Sequence, residues 1–305
     1  MVFFSHMEML FLSMIAAVTI AGLLIGAVEP HLPAFLAQSF RYGKHSLKEG
    51  RNALVARLEV PKSSFRHFYV FALLWSAAAL YLVLRTCVAG KPAPEAVIAF
   101  LDLLCGKRRT EKSNALETLL ATVCLFAQCS RRFWETHFLQ IFSRSSRINI
   151  AHYLVGYVHY FGALVVILGH AQGFVTASAS TVTRDQLSWR LWLAGGAFAF
   201  AWWQQWRSNV ILARLRMDAK GNVVTEKHLM PSGGFFDIVS SPHMMFECLM
   251  YASLAPLMLG NTAWLLVCIW VIANQAQVAH LTHIWYRETF PDYPRQRRAL
   301  FPGIF

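Results

Sequence analysis

The sequence predicts an all-α, polytopic membrane protein with about seven transmembrane helices in one bundle. Of its 305 residues, 56% are hydrophobic and only 14% are charged, whereas a soluble domain carries about a quarter charged residues. The mean hydropathy is +0.42, and ten Trp and 23 Phe add an aromatic content that suits a bilayer. This composition excludes a disordered or fibrous chain and argues strongly against a soluble enzyme.

Seven apolar segments approach the length needed to cross a bilayer, which is about 20 residues per helix. The fifth and sixth segments are the shortest. No internal repeat or low-complexity linker divides the chain, so we predict a single domain over residues 1–305. The predicted spans are Met7–Val28, Phe68–Val88, Ala115–Phe133, Ile148–Val175, Leu191–Trp206, Met244–Gly260 and Ala263–Tyr286.

The distribution of basic residues predicts how these spans are oriented. The net charge is +12, from 28 Lys and Arg against 16 Asp and Glu. In a membrane protein such a balance reflects basic loops retained on the cytosolic side, so no nucleic acid partner is predicted. Twenty basic residues fall on the side that holds the C-terminus and seven on the other. The N-terminus is therefore predicted to be lumenal and the C-terminus cytosolic, although Lys107, Arg108 and Arg109 then lie unexpectedly on the lumenal side.

No metal site is predicted. The six cysteines are scattered and form no Cys-x-x-Cys pair, which argues against a zinc site or a disulfide framework. His152, His159 and His170 share one stripe of the fourth span. A helical rise of about 1.5 Å per residue separates them by roughly 10 and 16 Å, too far for one ion with ligands at about 2 Å.

Polar residues in the last predicted span favour a wet binding cavity. Ionisable groups inside a span cost a few kcal/mol and mark functional sites. Hydrogen bonds between helices of a bundle explain such residues equally well. The polar residues of this span are Asn274, Gln275, Gln277, His280, His283 and Tyr286.

The segment 231–247 predicts a helix end that could hold a phosphate. Ser241-Pro242 is a typical helix start, with Ser as the N-cap and Pro in the first turn. His243 and Glu247 then share one face, and a helix N-terminus at the cytosolic rim favours a phosphate group. No Gly-x-Gly-x-x-Gly motif follows a strand, so a Rossmann domain is not expected.

Several motifs together resemble one known family over roughly residues 40–305. In the C-terminal half, approximately residues 150–305, they are the run Asn209–Arg216, Pro231-x-Gly-Gly-x-Phe, Ser-Ser-Pro-His243-x-x-x-Glu247 and the tail Tyr286–Phe305. These resemble the steroid 5-alpha-reductase family. Three upstream motifs resemble its polyprenol reductase branch rather than its steroid branch: Arg41-Tyr-Gly-Lys44, Val60–Tyr69 and Cys129-Ser-Arg-Arg132-Phe-Trp-Glu135.

That branch implies an endoplasmic-reticulum enzyme that uses NADPH to saturate the alpha-isoprene double bond of a long-chain polyprenoid lipid. Its product feeds the dolichol needed for N-glycosylation. Hydride adds only to a polarised alkene, so we favour polyprenal over the free alcohol as the species reduced. Hydride would add at the beta carbon and a proton at the alpha carbon, while a donor stabilises the enolate oxygen. No protein partner is predicted.

The resemblance also implies the residues of the NADPH site. Some match family positions directly and others lie beside a matched position. The candidates are Arg132, Asn209, Arg216, His243, Glu247, His283 and Tyr286. Arg216 suits a phosphate through its planar fork, although an ordinary positive-inside arginine explains it too.

Proton donors are harder to assign from the resemblance. Glu59, in Glu59-Val-Pro, matches an acidic residue of the steroid enzymes, and a buried, protonated carboxyl could donate to the carbonyl oxygen. Cys129 stands where the steroid branch has a catalytic Tyr. Tyr153 and Tyr157 of the fourth span are candidate replacements, although core packing is the commoner reason for a Tyr at such positions.

Three other functions stay open on the sequence alone. They are a steroid 3-oxo-5-alpha-type enone reductase, an isoprenylcysteine methyltransferase-like enzyme and a non-catalytic lipid carrier. The methyltransferase motif is only faintly echoed by Ser-Pro-His243. Binding of NADPH rather than S-adenosylmethionine would separate the enzymes, and a carrier needs no reductant.

Overall fold

The computed structural model describes residues 4–28, 31–33, 35, 37–38 and 53–305. The described residues are 68% helical with 4% strand, which confirms the helical class. The Arg41-Tyr-Gly-Lys44 motif lies outside the described residues. The helices are α1 (His6–Val28), α2 (Ala53–Arg57), α3 (Phe65–Val83), α4 (Glu95–Cys105), α5 (Ala115–Trp134), α6 (Ile150–Gly169), α7 (Trp189–Arg214), α8 (Pro242–Ser253) and α9 (Thr262–Thr289).

Two short strands and two widened helical turns were not anticipated. Strand β1 (Glu59–Pro61) pairs antiparallel with β2 (Arg147–Asn149). This pairing joins the segment before α3 to the segment before α6. Helices α3 and α5 each continue into a π-helical turn, at Leu84–Val88 and Glu135–Leu139.

Four segments of the described chain are long and apolar enough to cross a membrane. They are His6–Val28, Lys62–Val88, Ile150–Gly169 and Thr262–Thr289, and each overlaps a predicted span. The other three predicted spans fall on α5, α7 and α8. Helices α5 and α7 carry arginines and glutamines, and the 12 residues of α8 reach only about 18 Å. The count of seven spans is therefore not confirmed.

Local side-chain contacts fix where the helices begin. Asn114 and Glu117 form a capping box at the start of α5, and Asn261 caps α9 by accepting from the backbone N–H of Trp264. Such caps satisfy backbone donors that the first helical turn leaves free. Helix α8 begins at Pro242 as predicted, but the Ser241 side chain makes no capping hydrogen bond.

Close approaches between helices shape the core around the cavity described below. Helix α3 packs against α5 and α6, α1 against α9, and α7 against α8. A Cβ built on Gly156 of α6 would lie 2.7 Å from the Phe68 ring of α3. Only glycine allows this contact, and it brings the rings of Tyr69 and Tyr160 to a centroid distance of 5.9 Å.

One member of the unexpected basic cluster before α5, Arg109, has a structural role. Arg109 is buried, and its guanidinium donates to Asp102 Oδ1 and to the carbonyls of Gly169 and Phe174, both at 2.8 Å. It therefore ties α4 to the end of α6. Because these contacts hold Arg109 in place, its position is a weaker indicator of membrane side than the position of an arginine in a solvated loop.

Candidate active site

A cavity of about 410 Å³ opens between α3, α5, α6, α7, α8 and α9. Its wall combines aromatic and aliphatic residues with a dense set of polar groups. The charged and hydrogen-bonding residues of the wall include Lys62, Tyr69, Arg132, Glu135, His152, His159, Tyr160, Gln205, Asn209, Arg216, His243, Glu247, Asn274, Gln275 and Tyr286. So many polar groups at membrane-facing helices indicate a binding site rather than a packing void.

Glu247 of α8 is held by two buried amides. Its Oε2 accepts from Gln128 Nε2 at 3.1 Å and, at shorter range, from Gln205 Nε2. Gln205 also donates to the carbonyl of His243 at 3.0 Å. The two glutamines come from α5 and α7, so the carboxylate is fixed from both sides while it faces the cavity.

Glu135 is the centre of a second polar cluster. Its side chain is 1% exposed, and its Oε2 accepts from Arg132 and, at 2.9 Å, from Asn209 Nδ2. Arg131 Nε lies 3.5 Å from its other oxygen. Two arginines therefore share one buried carboxylate, which positions Arg132 in the cavity wall.

Arg132 in turn contacts Tyr69 of α3. Its Nε and Nη2 lie 3.2 and 3.1 Å from the Tyr69 hydroxyl oxygen, and its guanidinium carbon lies 4.9 Å from the ring centroid. The phenol oxygen is thus the acceptor of two charge-assisted hydrogen bonds. These contacts link α3 and α5 across one wall of the cavity.

Two further cations, Arg216 and Lys62, belong to the wall. Arg216 Nη1 donates to the carbonyl of Ile141 at 2.6 Å, and its Nε donates to that of Lys227 at 3.2 Å. Burial lowers the pKa of Arg216 from its ordinary value, yet an arginine stays charged in proteins. Lys62 lies within electrostatic range of Arg216, so two cations face the same space.

Six of the seven residues predicted for the cofactor site line this cavity. The exception is His283, whose Nδ1 lies 2.7 Å from Ser240 Oγ and whose ring packs against Tyr293. Burial raises the pKa of the Tyr293 phenol, so it stays neutral beside the histidine. The six that line the cavity are Arg132, Asn209, Arg216, His243, Glu247 and Tyr286.

The three residues predicted as proton donors do not line the cavity. Glu59 lies on β1 opposite Asn149. Tyr153 and Tyr157 place their hydroxyls 2.6 Å apart, and Tyr153 also lies 3.3 Å from His67 Nδ1. The tyrosines that do line it are Tyr69, Tyr160 and Tyr286, and the first two pack around Cys129.

Sequence reasoning missed Tyr69, Tyr160, Glu135 and Lys62. Signals were available for Tyr69 and Glu135. Tyr69 and Glu135 are each the last residue of a motif that carries the family resemblance. Glu135 also follows Arg132 and Arg131 at the spacings of helical ion pairs. Without the fold, nothing indicated that these residues converge on one space.

The polar residues of α9 divide between the two interpretations. Asn274, Gln275 and Tyr286 line the cavity, as the wet-cavity hypothesis predicts. Gln277 instead meets Gly22 of α1, where a Cβ would lie 2.4 Å from its Oε1. His280 stacks on the ring of Phe305 in the tail. Gln277 and His280 therefore contribute to packing between parts of the chain.

The histidines of α6 act separately, as their spacing predicts. His159 Nε2 lies 2.7 Å from the Tyr251 hydroxyl, and His170 Nδ1 lies 3.1 Å from the carbonyl of Thr110. In the described part of the chain, no group of three His, Cys, Asp or Glu residues could hold a metal ion.

The cavity suits a nicotinamide dinucleotide. Arg216 and Lys62 can bind phosphates. The Glu247 carboxylate and its neighbouring amides can bind a carboxamide. His159 Nδ1, in the cavity wall, is buried and has no hydrogen-bond partner among the described residues. A buried polar atom of this kind is normally satisfied by a ligand or water.

Comparison with known proteins places this site in a family. Residues 157–305 match the family described as 3-oxo-5-alpha-steroid 4-dehydrogenase. The polyprenal reductase of Drosophila melanogaster is 48% identical over 302 residues, covering 98% of this chain and 93% of the relative. The polyprenal reductase of Xenopus tropicalis is 34% identical, covering 87% and 86%, and that of Caenorhabditis elegans is 30% identical, covering 90% and 89%. The chain therefore belongs to the steroid 5-alpha-reductase family, alongside the polyprenal reductases.

Proposed function

We propose that this protein reduces the alpha-isoprene double bond of a polyprenal with NADPH, on the route to dolichol, as one integral domain of the endoplasmic-reticulum membrane. One observation carries the proposal. A cavity with a cationic end and a buried carboxylate lies between membrane-facing helices, in a chain 48% identical to a polyprenal reductase. The methyltransferase and carrier alternatives lose their support, because relatives over nearly the whole chain are reductases.

The residues present fit a bound NADPH. Arg216 and Lys62 would hold phosphate groups, and Glu247 would accept from the nicotinamide carboxamide. The wall also contains four of the predicted cofactor residues, Arg132, Asn209, His243 and Tyr286. His283 would act indirectly, through the contact of its Nδ1 with Ser240 Oγ. When bound, the cofactor supplies a hydride to the beta carbon of the unsaturated aldehyde.

The lipid would enter the cavity between spanning helices. Apolar residues of α6 and α9 in the wall, including Val155, Trp270, Val271 and Val278, can contact isoprene units. An aldehyde at the chain end conjugates the double bond and gives its electrons an oxygen to move onto. An allylic alcohol lacks that sink, so polyprenal rather than polyprenol is the proposed substrate.

Reduction of polyprenal by the purified protein in liposomes, with the saturated product identified by mass spectrometry, tests the proposal. Turnover of polyprenal but not polyprenol is expected. Turnover of the alcohol alone would contradict the aldehyde mechanism, and clear preference for a steroid enone would favour the steroid alternative. Glu59→Gln tests the donor role that the family resemblance implies for this residue: loss of turnover with folding intact would support that role, and an unchanged rate, as expected for a residue outside the cavity wall, would remove it.

Glu247→Gln is expected to raise the Kd for NADPH about tenfold, because one charge-assisted hydrogen bond is lost. The new amide also brings N–H donors toward those of Gln128 and Gln205. Titration of cofactor binding measures the effect. Glu111→Gln is the control, since that side chain is exposed and does not line the cavity. Unchanged binding in Glu247→Gln would remove the proposed carboxamide contact.

The proposed topology has seven spans, a lumenal N-terminus and a cytosolic C-terminus. Its support is the bias of basic residues toward the C-terminal side, together with the structural role of Arg109. Glycosylation reporters fused to either end in microsomes check it. We expect glycans on the N-terminal reporter only; the opposite pattern would invert the orientation, and glycans on both would require an even number of spans.

A further inference from the structure

We propose that the Tyr69 hydroxyl is the proton donor to the aldehyde oxygen of the substrate, in the role left open because Cys129 replaces a tyrosine. This inference rests on the proposed function, since it names the donor for that reaction. It follows from how the hydroxyl is held in the cavity wall.

The Tyr69 hydroxyl has one direction left for bonding. Its oxygen accepts from Arg132 Nε at 3.2 Å and Nη2 at 3.1 Å, and a phenol oxygen has room for two acceptor contacts. Among the described residues, none accepts a hydrogen bond from it. The side chain is 9% exposed and lines the cavity. The O–H is therefore available to a ligand there.

The other candidates near the cavity are less suited. Tyr153 and Tyr157 use their hydroxyls on each other, 2.6 Å apart and outside the cavity wall. The Cys129 thiol is fully buried, and an S–H is a weak donor. Tyr160 lines the cavity, but no guanidinium contacts its hydroxyl among the described residues. Tyr81, which lies on the same helix as Tyr69 but is 67% exposed and outside the cavity wall, serves as the matched comparison.

Arg132 makes Tyr69 a competent acid. As the proton leaves, negative charge develops on the phenol oxygen, and the guanidinium already in place stabilises it without rearranging. Arg132 is in turn fixed by Glu135, which Asn209 also contacts. The stabilising charge is thus preorganised by residues of α5 and α7.

Hydride addition is accompanied by proton transfers that restore Tyr69 to its neutral form. The hydride forms a C–H bond at the beta carbon, the double-bond electrons shift toward the carbonyl, and the aldehyde oxygen takes the proton of Tyr69. This gives an enol and a tyrosinate paired with Arg132. A proton from water then adds at the alpha carbon while the enol O–H returns its proton to Tyr69. The net result is addition of one hydride and one solvent proton across the double bond.

Single-turnover reduction of polyprenal at saturating NADPH, comparing Tyr69→Phe with Tyr81→Phe, tests the proposal. Loss of an oxygen-stabilising donor should lower the rate of Tyr69→Phe about 100-fold or more, with cofactor Kd and melting temperature unchanged. Tyr81→Phe should stay close to wild type. A wild-type rate in Tyr69→Phe, or an equal loss in Tyr81→Phe, would overturn the assignment while leaving the reductase proposal intact. Absence of polyprenal turnover by the wild-type protein would overturn both.

A second measurement does not depend on losing the hydroxyl. Replacing Tyr69 with 3-fluorotyrosine keeps the hydrogen bonds but makes the phenol a stronger acid. When kcat is plotted against pH, the alkaline limb should move to lower pH. A purely structural tyrosine would not produce this shift. An unmoved profile, with activity retained, would contradict proton donation by Tyr69.

Discussion

Replacing Glu135 with Ala is expected to destabilise the protein by about 3–5 kcal/mol and to abolish reductase activity, because it leaves buried charges without their partner. Glu135 is 1% exposed and contacts both Arg131 and Arg132. Removing it leaves two largely buried cations close together without a compensating charge. Asn209 also loses the acceptor for its Nδ2.

Thermal and denaturant unfolding in detergent micelles would measure the loss. Glu226→Ala provides the control, since Glu226 pairs at 3.6 Å with an Arg144 that is 96% exposed. Exposed pairs contribute about 0–1 kcal/mol, so the control should unfold like the wild type. Glu135→Gln keeps one acceptor oxygen and should fall between the two. If Glu135→Ala were as stable as Glu226→Ala, the contacts of Glu135 with Arg131 and Arg132 would not contribute to the stability of the fold.

Much of the helical framework could be predicted because it depends on local sequence. The predicted last span, Ala263–Tyr286, falls within α9 (Thr262–Thr289), since an apolar run and the Asn261 cap define it. The Ser241-Pro242 start of α8 was also correct. Six of the predicted cofactor residues line one cavity, because motif positions report a shared site without requiring its geometry.

The network behind the cavity could not be predicted, because its contacts join distant parts of the chain. Arg132 and Tyr69 lie 63 residues apart, and Glu247 and Gln128 lie 119 apart. Helical periodicity indicates which face of a helix is polar but not which helix faces it. The π-helical turn that begins at Glu135 adds to this, since a π turn shifts the side chains that follow relative to a regular helix.

The donors predicted from the sequence illustrate the same limit. Tyr153 and Tyr157, one turn apart on α6, are predicted only as tyrosines of the fourth span that could replace the donor missing at Cys129. The structure places their hydroxyls together, away from the cavity wall, while Tyr69 from another helix faces the cavity. Gly156 permits this arrangement by allowing α3 to approach α6, a packing effect that the motif alone does not reveal.

Replacing Arg216 with Ala is expected to weaken NADPH binding about 10- to 100-fold and to leave NADH binding nearly unchanged. Hydrogen bonds to charged groups contribute about 1.5–3 kcal/mol, and the 2′-phosphate is the only group that distinguishes the two cofactors. Arg216 is held through Nη1 by Ile141 and through Nε by Lys227. Its remaining N–H donors can meet a phosphate in the cavity it lines.

Equilibrium titration of both cofactors against wild type, Arg216→Ala and Arg216→Lys measures this preference. Arg216→Lys keeps the charge but loses the planar fork, so it should recover part of the NADPH affinity. Equal losses for NADPH and NADH in Arg216→Ala would move Arg216 to a phosphate that both cofactors share, leaving Lys62 as the other cation to test for the 2′-phosphate. Unchanged binding of both would make Arg216 a structural residue that joins the loops of Ile141 and Lys227. A loss confined to NADPH would place the 2′-phosphate, and with it the adenosine half of the cofactor, at the part of the cavity that Arg216 lines.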